Sequence, residues 1–174
     1  TILFYTKSEN YIFNPQKEQT KEYKKESIHR DEKGEYVWYI RPGTNPNVPE
    51  GVKSYVNKYV QDVWQIPIVN PQAEERETTN NYPTQKPEAL LYRIIKASSN
   101  PGDIVLDCFA GSGTAQAVAE KLGRRWLGVD CGKLAIYTMQ KRLLNISESK
   151  DLEDTQKKKK YGKPLKPFTL YNAG

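Results

Sequence analysis

Apolar positions change their spacing near residue 82. Before it they come in short β-rich bursts: "ILFY" and "YIF" flank the polar "TKSEN", a pattern that predicts a hairpin over residues 2–13. "EYVWYI", Glu35 to Ile40, reads as a strand, and "YVQDVWQIPIV", Tyr59 to Val69, as another β-rich piece. Ahead of both, from Asn14 to about Glu35, "KEQTKEYKKES" is polar and charged, the pattern of a solvated helix or a loop. "RPGTNPNVPEG" holds three prolines and two glycines and predicts an extended loop, and "NPQAEERETTNN" is a polar linker.

After Tyr82 the alternation is cleaner. Pro87 suits the first turn of a helix, and in "PEALLYRIIKASS" the residues Leu91, Ile94, Ile95 and Ser98 share one face. "DIVLDCF" is a short continuous apolar run, the pattern of a parallel strand buried on both faces. "GTAQAVAEKLG" is helical, with Ala117, Val118 and Leu122 on one face and Gly123 as its stop. "RRWLGVD" is the next strand and "KLAIYTMQKRLLNI" the next helix. The order β-turn-α-β-α predicts a doubly wound α/β domain. Residues 147–174 are polar and basic, with "KKKK" at 157–160, and read as a solvated tail.

Composition narrows the classes. A chain of 174 residues holds one ordinary domain with a smaller appendage. No apolar run approaches the roughly 20 residues that span a bilayer, and no signal-peptide pattern opens the chain, so no membrane partner is expected. Two cysteines argue against a disulfide framework and fit a reducing cytoplasm. A net charge of +6 favours a polyanion partner without specifying one. The chain opens with no methionine and is β-rich from its second residue, so Thr1 is expected to lie within a longer protein.

The chemistry concentrates in "DIVLDCFAGSGT", where an apolar strand ends in Asp107 and a glycine turn follows. A nucleoside-triphosphate loop would need a lysine after its last glycine, and none follows Gly113. A dinucleotide site would need a third glycine where Gln116 stands. S-adenosylmethionine is the remaining cofactor class. It carries a sulfonium and an ammonium but no phosphate, so an acid at the strand end attracts it and would repel a pyrophosphate. The glycines would then let the backbone approach the cofactor without an intervening Cβ. Asp130 ends the next strand, placed to accept hydrogen bonds from ribose hydroxyls. The plain alternative, two helix-capping aspartates around a structural turn, stays open.

"DCFAGSGT" followed by "RRWLGVD" resembles the cofactor-binding motifs of DNA methyltransferases that act on exocyclic amino groups, matched by Asp107, Phe109, Gly111 and Gly113. "NYPTQKPEALL" resembles the T-x-K-P stretch that precedes the glycine motif where the cofactor half lies C-terminal, matched by Thr84, Lys86 and Pro87. The opening "ILFYTKSENYIFN" is similar to the strand and turn after the catalytic region in bacterial modification enzymes, including the modification subunits of type III systems.

The resemblance implies a partial Rossmann-like, S-adenosylmethionine-dependent α/β fold with an inserted small β-rich subdomain. Its parts would be 1–14, the end of the catalytic-half hairpin; 15–81, a target-recognition insertion; 82–146, the cofactor-binding α/β region; and 147–174, a basic tail. The implied cofactor-binding residues are Thr84, Gln85, Lys86, Asp107, Phe109, Ala110, Gly111, Ser112, Gly113, Thr114 and Asp130. Lys86 is either a charge beside the cofactor or an ordinary surface lysine. The implied partners are double-stranded DNA, the catalytic part of the same protein, and a restriction subunit or a second copy. No metal is implied, and the implied target is an exocyclic amine of adenine, ahead of cytosine.

The family's catalytic motif, an Asp, Asn or Ser before Pro-Pro and an aromatic, is absent: "NPNV", "NPQA" and "NPGD" each lack the second proline. It is expected before Thr1, so no catalytic residue is assigned and the chain alone is expected to be inactive. A non-catalytic cofactor- or DNA-binding module is the alternative. Residues 14–81 carry lysines, amides and aromatics suited to DNA. Even so, Tyr36, Trp38, Tyr39, Tyr55, Tyr59 and Trp64 are expected first as a subdomain core. His29 is given no role, and Cys108 and Cys131 are expected to pack near the cofactor.

Overall fold

In the computed structural model the described residues are 6–19, 27–39, 52–59, 64, 66, 69, 82–153 and 159–172. The chain divides into two compact units, Pro15–Trp64 and Thr1–Asn14 with Gln65–Gly174.

The smaller unit is antiparallel β. Strand β1, Lys17–Gln19, forms where the charged pattern predicts a helix or loop. β2, His29–Asp31, β3, Gly34–Tyr39, and β4, Val52–Tyr55, make a three-stranded meander. β5, Asn57–Tyr59, returns to pair with β1. The β2–β3 turn is built by Asp31, whose Oδ1 accepts the Lys33 amide at 2.9 Å, and by Gly34 at φ 127°. The Tyr55 hydroxyl donates to Asp31 Oδ2 at 3.1 Å and so ties β4 to that turn. Val56 is buried, and the Tyr36 ring meets His29 tilted at a centroid distance of 5.6 Å and Tyr55 edge-on at 6.1 Å. Tyr59 departs from the expected core: it is 65% exposed, with Lys17 Nζ 4.7 Å over its ring. It lies beside a charged edge strand, so its ring is covered by a cation instead of by apolar groups.

The larger unit carries the α/β pattern. α1 is Glu88–Ser98, β6 Ile104–Asp107, α2 Thr114–Lys121, β7 Arg125–Gly128 and α3 Lys133–Leu144. β6 and β7 are parallel, with Asp107 opposite Gly128, and α2 connects them. This is one βαβ unit extended by α3, a partial Rossmann-like arrangement of the α/β class. Pro87 takes the N-cap of α1, one residue earlier than the sequence suggests, so Glu88 falls in the first turn. The buried face of α1 is set by Glu88 and Ile95 and continues to Ser99, while Ser98 is exposed, so the helix is rotated from the predicted face. Gly123 at φ 73° follows α2 as a left-handed terminator.

β6 differs from the strand buried on both faces that its apolar run predicts. Val105 and Trp126 pack against Ile95, Val118 and Ala119, whereas Ile104, Leu106 and Leu127 are more than half exposed. The described helices cover one face of this two-stranded sheet, and within this chain Ile104, Leu106 and Leu127 on the other face are uncovered. α2 is buried from Thr114 to Glu120, so its shared face of Ala117, Val118 and Leu122 understates how central it is.

Two segments expected to stand apart belong to this unit. Asn14 donates its amide to Ala97 O at 2.7 Å and its side-chain nitrogen to Lys96 O and Ser99 O at 3.2 and 3.1 Å. It thereby satisfies carbonyls that the end of α1 would leave unpaired. The C-terminal segment is not a loose tail. Tyr161 and Leu165 pack on the Met139–Leu143 cluster, and Phe168 meets Trp126 at 5.6 Å. Glu120 anchors it, accepting the Trp126 indole N–H at 3.0 Å and the Lys166 amide at 3.2 Å. Its interleaved aromatics supply the apolar contact that a reading of net charge overlooks. Lys159 and Lys160 are described within the lysine run, both exposed.

Several predicted pieces lie outside the described residues: the strand at 2–5, the loop at 41–51, most of 60–69, and the linker at 70–81. Tyr11, Ile12 and Phe13 are described, stand in no strand, and are exposed.

Candidate functional site

The two parallel strands end side by side, and the chain between them builds a pocket. Beyond Asp107 and Gly128 the ladder continues through Val129 N to Asp107 O at 2.9 Å and Ala110 N to Val129 O at 3.0 Å. The turn after β6 is thus pinned across the end of β7. Gly111 at φ 54° and Gly113 at φ 75° then reverse the chain into α2, in a region that a side chain strongly disfavours.

Asp130 locks this turn. Its Oδ2 accepts the Gly111 amide at 2.8 Å and its Oδ1 the Gly132 amide at 2.8 Å. One carboxylate therefore joins the glycine turn to the start of α3. Both of its oxygens are already engaged, yet each keeps a further acceptor position. Asp107 Oδ1 accepts the Phe109 amide at 3.1 Å, which holds its carboxylate at the strand tip.

A cavity of about 320 Å³ opens at this turn. Thr84, Lys86, Asp107, Phe109, Ala110, Gly111, Ser112, Thr114 and Asp130 line it, joined by Tyr82, Leu91 and Ala115. Of the residues singled out from the sequence, Gln85 and Gly113 stand apart. Gln85 is buried outside the lining. Gly113 faces α3: a Cβ there would lie 2.6 Å from Met139 Cγ. Its missing side chain admits the helix, not a ligand, because Met139 already fills the space. At Gly111 a Cβ would meet the Tyr82 hydroxyl at 3.3 Å, on the cavity wall. Phe109 is 89% exposed, its ring presented at the mouth. Lys86 is exposed, and its Nζ donates to Thr84 O at 3.3 Å. Cys108 and Cys131 are exposed instead of packed. Each follows a strand-end acid at the point where the backbone leaves the sheet. Among the described residues no His, Cys, Asp and Glu cluster could hold a metal ion.

Beneath the cavity lies a charge cluster that sequence reading missed. The buried Glu88 carboxylate accepts Lys121 Nζ at 2.7 Å and Arg142 Nη2 at 3.0 Å. Burial pushes the Glu88 carboxyl up, but the two cations outweigh it and hold it below its ordinary value. A third buried cation, Arg124, donates to Ser99 O at 2.6 Å, Ser99 Oγ at 3.1 Å and Leu122 O at 2.8 Å. Burial lowers its pKa, partly countered by Asp103 and Tyr92. The one signal in the sequence was the placement of charges on otherwise apolar helix faces.

A strand-turn-helix pocket with an acid at each of two parallel strand tips defines an α/β cofactor-cradle protein. The model of a DNA methylase family, the N6/N4 methylases, matches residues 1–141, and the chain belongs to that family. It is 50% identical over 99 residues to the DNA adenine methyltransferase YhdJ of Escherichia coli (strain K12), covering 57% of this chain and 32% of that protein. It is 38% identical over 133 residues to the type II methyltransferase M1.MboII of Moraxella bovis, covering 75% of this chain and 48% of the relative. The chain thus spans less than half the length of either relative. A crystal structure of the M1.HpyAVI-SAM complex matches 35% of this chain and 32% of its own at 46% identity, with a TM-score of 0.34. At that score the superposition carries no argument, and the fold rests on the topology itself.

Proposed function

We propose that this chain is the cofactor-binding and target-reading portion of a DNA methyltransferase, one that moves a methyl group from S-adenosylmethionine to an exocyclic amine of adenine or cytosine. Adenine is favoured by the name of the E. coli relative. The observation that carries the reading is the pair of acids, Asp107 and Asp130, on the wall of one glycine-bounded cavity. Family membership supports it.

The cavity's chemistry suits that cofactor, which would supply an electrophilic methyl group. Asp107 presents negative charge to a cationic ligand, and no lysine follows the glycine turn as a triphosphate would require. Asp130 keeps acceptor positions for ribose hydroxyls after holding two amides. Thr84 and Lys86 line the cavity from the stretch before α1, with Gln85 buried between them. Lys86 adds a positive charge for the cofactor's carboxylate. Phe109 offers an exposed flat ring to the adenine.

No residue of the chain is assigned to hold and orient the target amine. In this reading the catalytic centre belongs to another part of the protein, and the isolated chain is inactive. Residues 15–81, which include the smaller unit, read the DNA site with their amides, aromatics and lysines, and a restriction subunit or a second copy is the further partner. The protein works in the cytoplasm, where its two thiols stay reduced.

Asp130→Ala tests the site. It removes an acceptor for the ribose and loosens the glycine turn, and should weaken S-adenosylmethionine binding by about 2–4 kcal/mol. Titration calorimetry on the complete gene product reads this directly. Unchanged affinity in a folded variant would sink the assignment.

A further inference from the structure

The cavity has two walls that the chain must hold together: the glycine turn, residues 107–114, and the stretch at 82–86 before α1. No covalent connection shorter than α1 and β6 links them. Arg142, on α3, touches the glycine turn on one side and Glu88, in the first turn of α1 just after the 82–86 stretch, on the other. Its Nη1 donates to Thr114 Oγ1 at 3.1 Å and reaches Ser112 O at 3.5 Å. Thr114 Oγ1 in turn donates to Lys86 O at 3.4 Å and shares a hydrogen bond with Ser112 Oγ at 3.1 Å. The other arm, Nη2, holds Glu88, two residues beyond Lys86, at 3.0 Å.

From this geometry we infer that Arg142 is a positioning residue of the cofactor site, a buried guanidinium that clamps the glycine turn to the start of α1, and so holds in place the 84–86 stretch that leads into it, without touching the ligand. The inference rests on the proposed cofactor reading. Arginine suits the task because its rigid fork spans two acceptors at once, whereas a lysine offers a single point charge. Neither Arg142 nor Glu88 lines the cavity, and both are buried, so their effect on a ligand must pass through Ser112, Thr114 and Lys86. Lys121 stands in contrast. It shares Glu88, but its other hydrogen bond goes to Lys150 O at 2.9 Å, away from the glycine turn. It balances charge and does not shape the cavity.

That contrast makes the inference testable apart from stability. Arg142→Met leaves Glu88 paired with Lys121, and Lys121→Met leaves it paired with Arg142, so each variant retains one neutral buried pair. S-adenosylmethionine affinity is measured by calorimetry on the complete gene product, beside the urea midpoint of each variant. Arg142→Met should lower affinity on the order of tenfold, the loss of one hydrogen bond from a charged donor. Arg142→Lys, which keeps the charge but cannot span both acceptors, should recover stability more than affinity. Lys121→Met should lower the urea midpoint while affinity stays at the wild-type value. Equal affinity losses in Arg142→Met and Lys121→Met would overturn the inference, as would wild-type affinity in the arginine variants. If Arg142→Met does not fold, the same comparison is made between Arg142→Lys and Lys121→Met: lower affinity in the arginine variant alone supports the clamp, and equal affinities overturn it. Failure of the wild-type protein to bind S-adenosylmethionine would remove the cofactor reading itself, a result distinct from intact wild-type binding with indifferent arginine variants.

Discussion

The two units differ in what they do with charged side chains. Besides surface pairs such as Lys160 with Glu148, the α/β unit turns a set of them inward: Glu88, Lys121, Arg142, Arg124 and Glu120 are buried or nearly so, and each meets a specific partner. In the β unit, pairs such as Arg30 with Glu35 and Lys17 over Tyr59 lie at the surface. The difference follows from dielectric. A buried charge must be paired to be tolerated, so each inward ion fixes the position of its neighbours. A surface pair is screened and fixes little. The first arrangement suits a cavity of invariant shape, the second a face whose residues can change without unfolding the unit.

The sharpest break of that comparison is Glu88→Ala. It leaves Lys121 and Arg142 side by side without their shared anion and should cost about 3–5 kcal/mol of stability, read from urea unfolding. The same carboxylate predicts a pH dependence. Its folded-state pKa is depressed, so its contribution is complete above the ordinary value of 4.5 and is lost as pH falls through the lower folded value. Urea midpoints between about pH 3 and 6 should fall on the acid side in the wild type, and less so in Glu88→Gln. An acid limb unchanged in Glu88→Gln would show that other carboxylates control it.

Next in size is Gly113→Ala. The new Cβ would lie 2.6 Å from Met139 Cγ at a φ of 75°, so overpacking adds to backbone strain. About 2–4 kcal/mol is expected from those two effects. A second change, Met139→Ala, should not rescue the loss, because Met139 Cβ and Cα would still stand 2.9 and 3.1 Å from the new methyl, and thermal unfolding of the double variant checks this.

The β unit should answer more weakly. Lys17→Ala removes an exposed cation from the Tyr59 ring and should change stability by at most about 0.5–1 kcal/mol. A loss as large as that of Glu88→Ala would erase the contrast between the units. The finest test is exchange of residues 15–64 for those of a relative with a different target. Methylated-base sequencing should follow the donor's site, while cofactor affinity stays near the wild-type value. Retention of the original site would move recognition out of this unit.

Local pattern was enough for the elements around the cavity. The change from period 2 to period 3.6 marks α1, β6, α2, β7 and α3, because each side chain's direction along an element is dictated by its own backbone. The glycine turn and its two acids were legible too, since positive φ and a charge at a strand tip are properties of single residues and their immediate neighbours. What each group does there was less so. Gly113 reads as room for a ligand, yet the room is taken by Met139, 26 positions along the chain and on another helix. Asp130 reads as a ribose ligand, and its nearest task is to hold two backbone amides.

The amino-acid sequence by itself determined the order of strands and helices in the α/β unit and the chemical character of the pocket mouth, but not β1, β2, β4 and β5 of the smaller unit. Only the tertiary structure decided which faces are covered and which charges meet. Glu88 and Arg142 are 54 residues apart, and Lys121 is 33 from Glu88. Nothing in the periodicity of any one helix announces a partner on another. The C-terminal segment makes the same point: its lysines read as a solvated tail, but Tyr161, Leu165 and Phe168 find an apolar surface that exists only once α2, β7 and α3 have packed. Short-range backbone preferences are written into neighbouring residues, whereas burial and ion pairing depend on the whole folded chain, because they arise only when distant surfaces exclude water together.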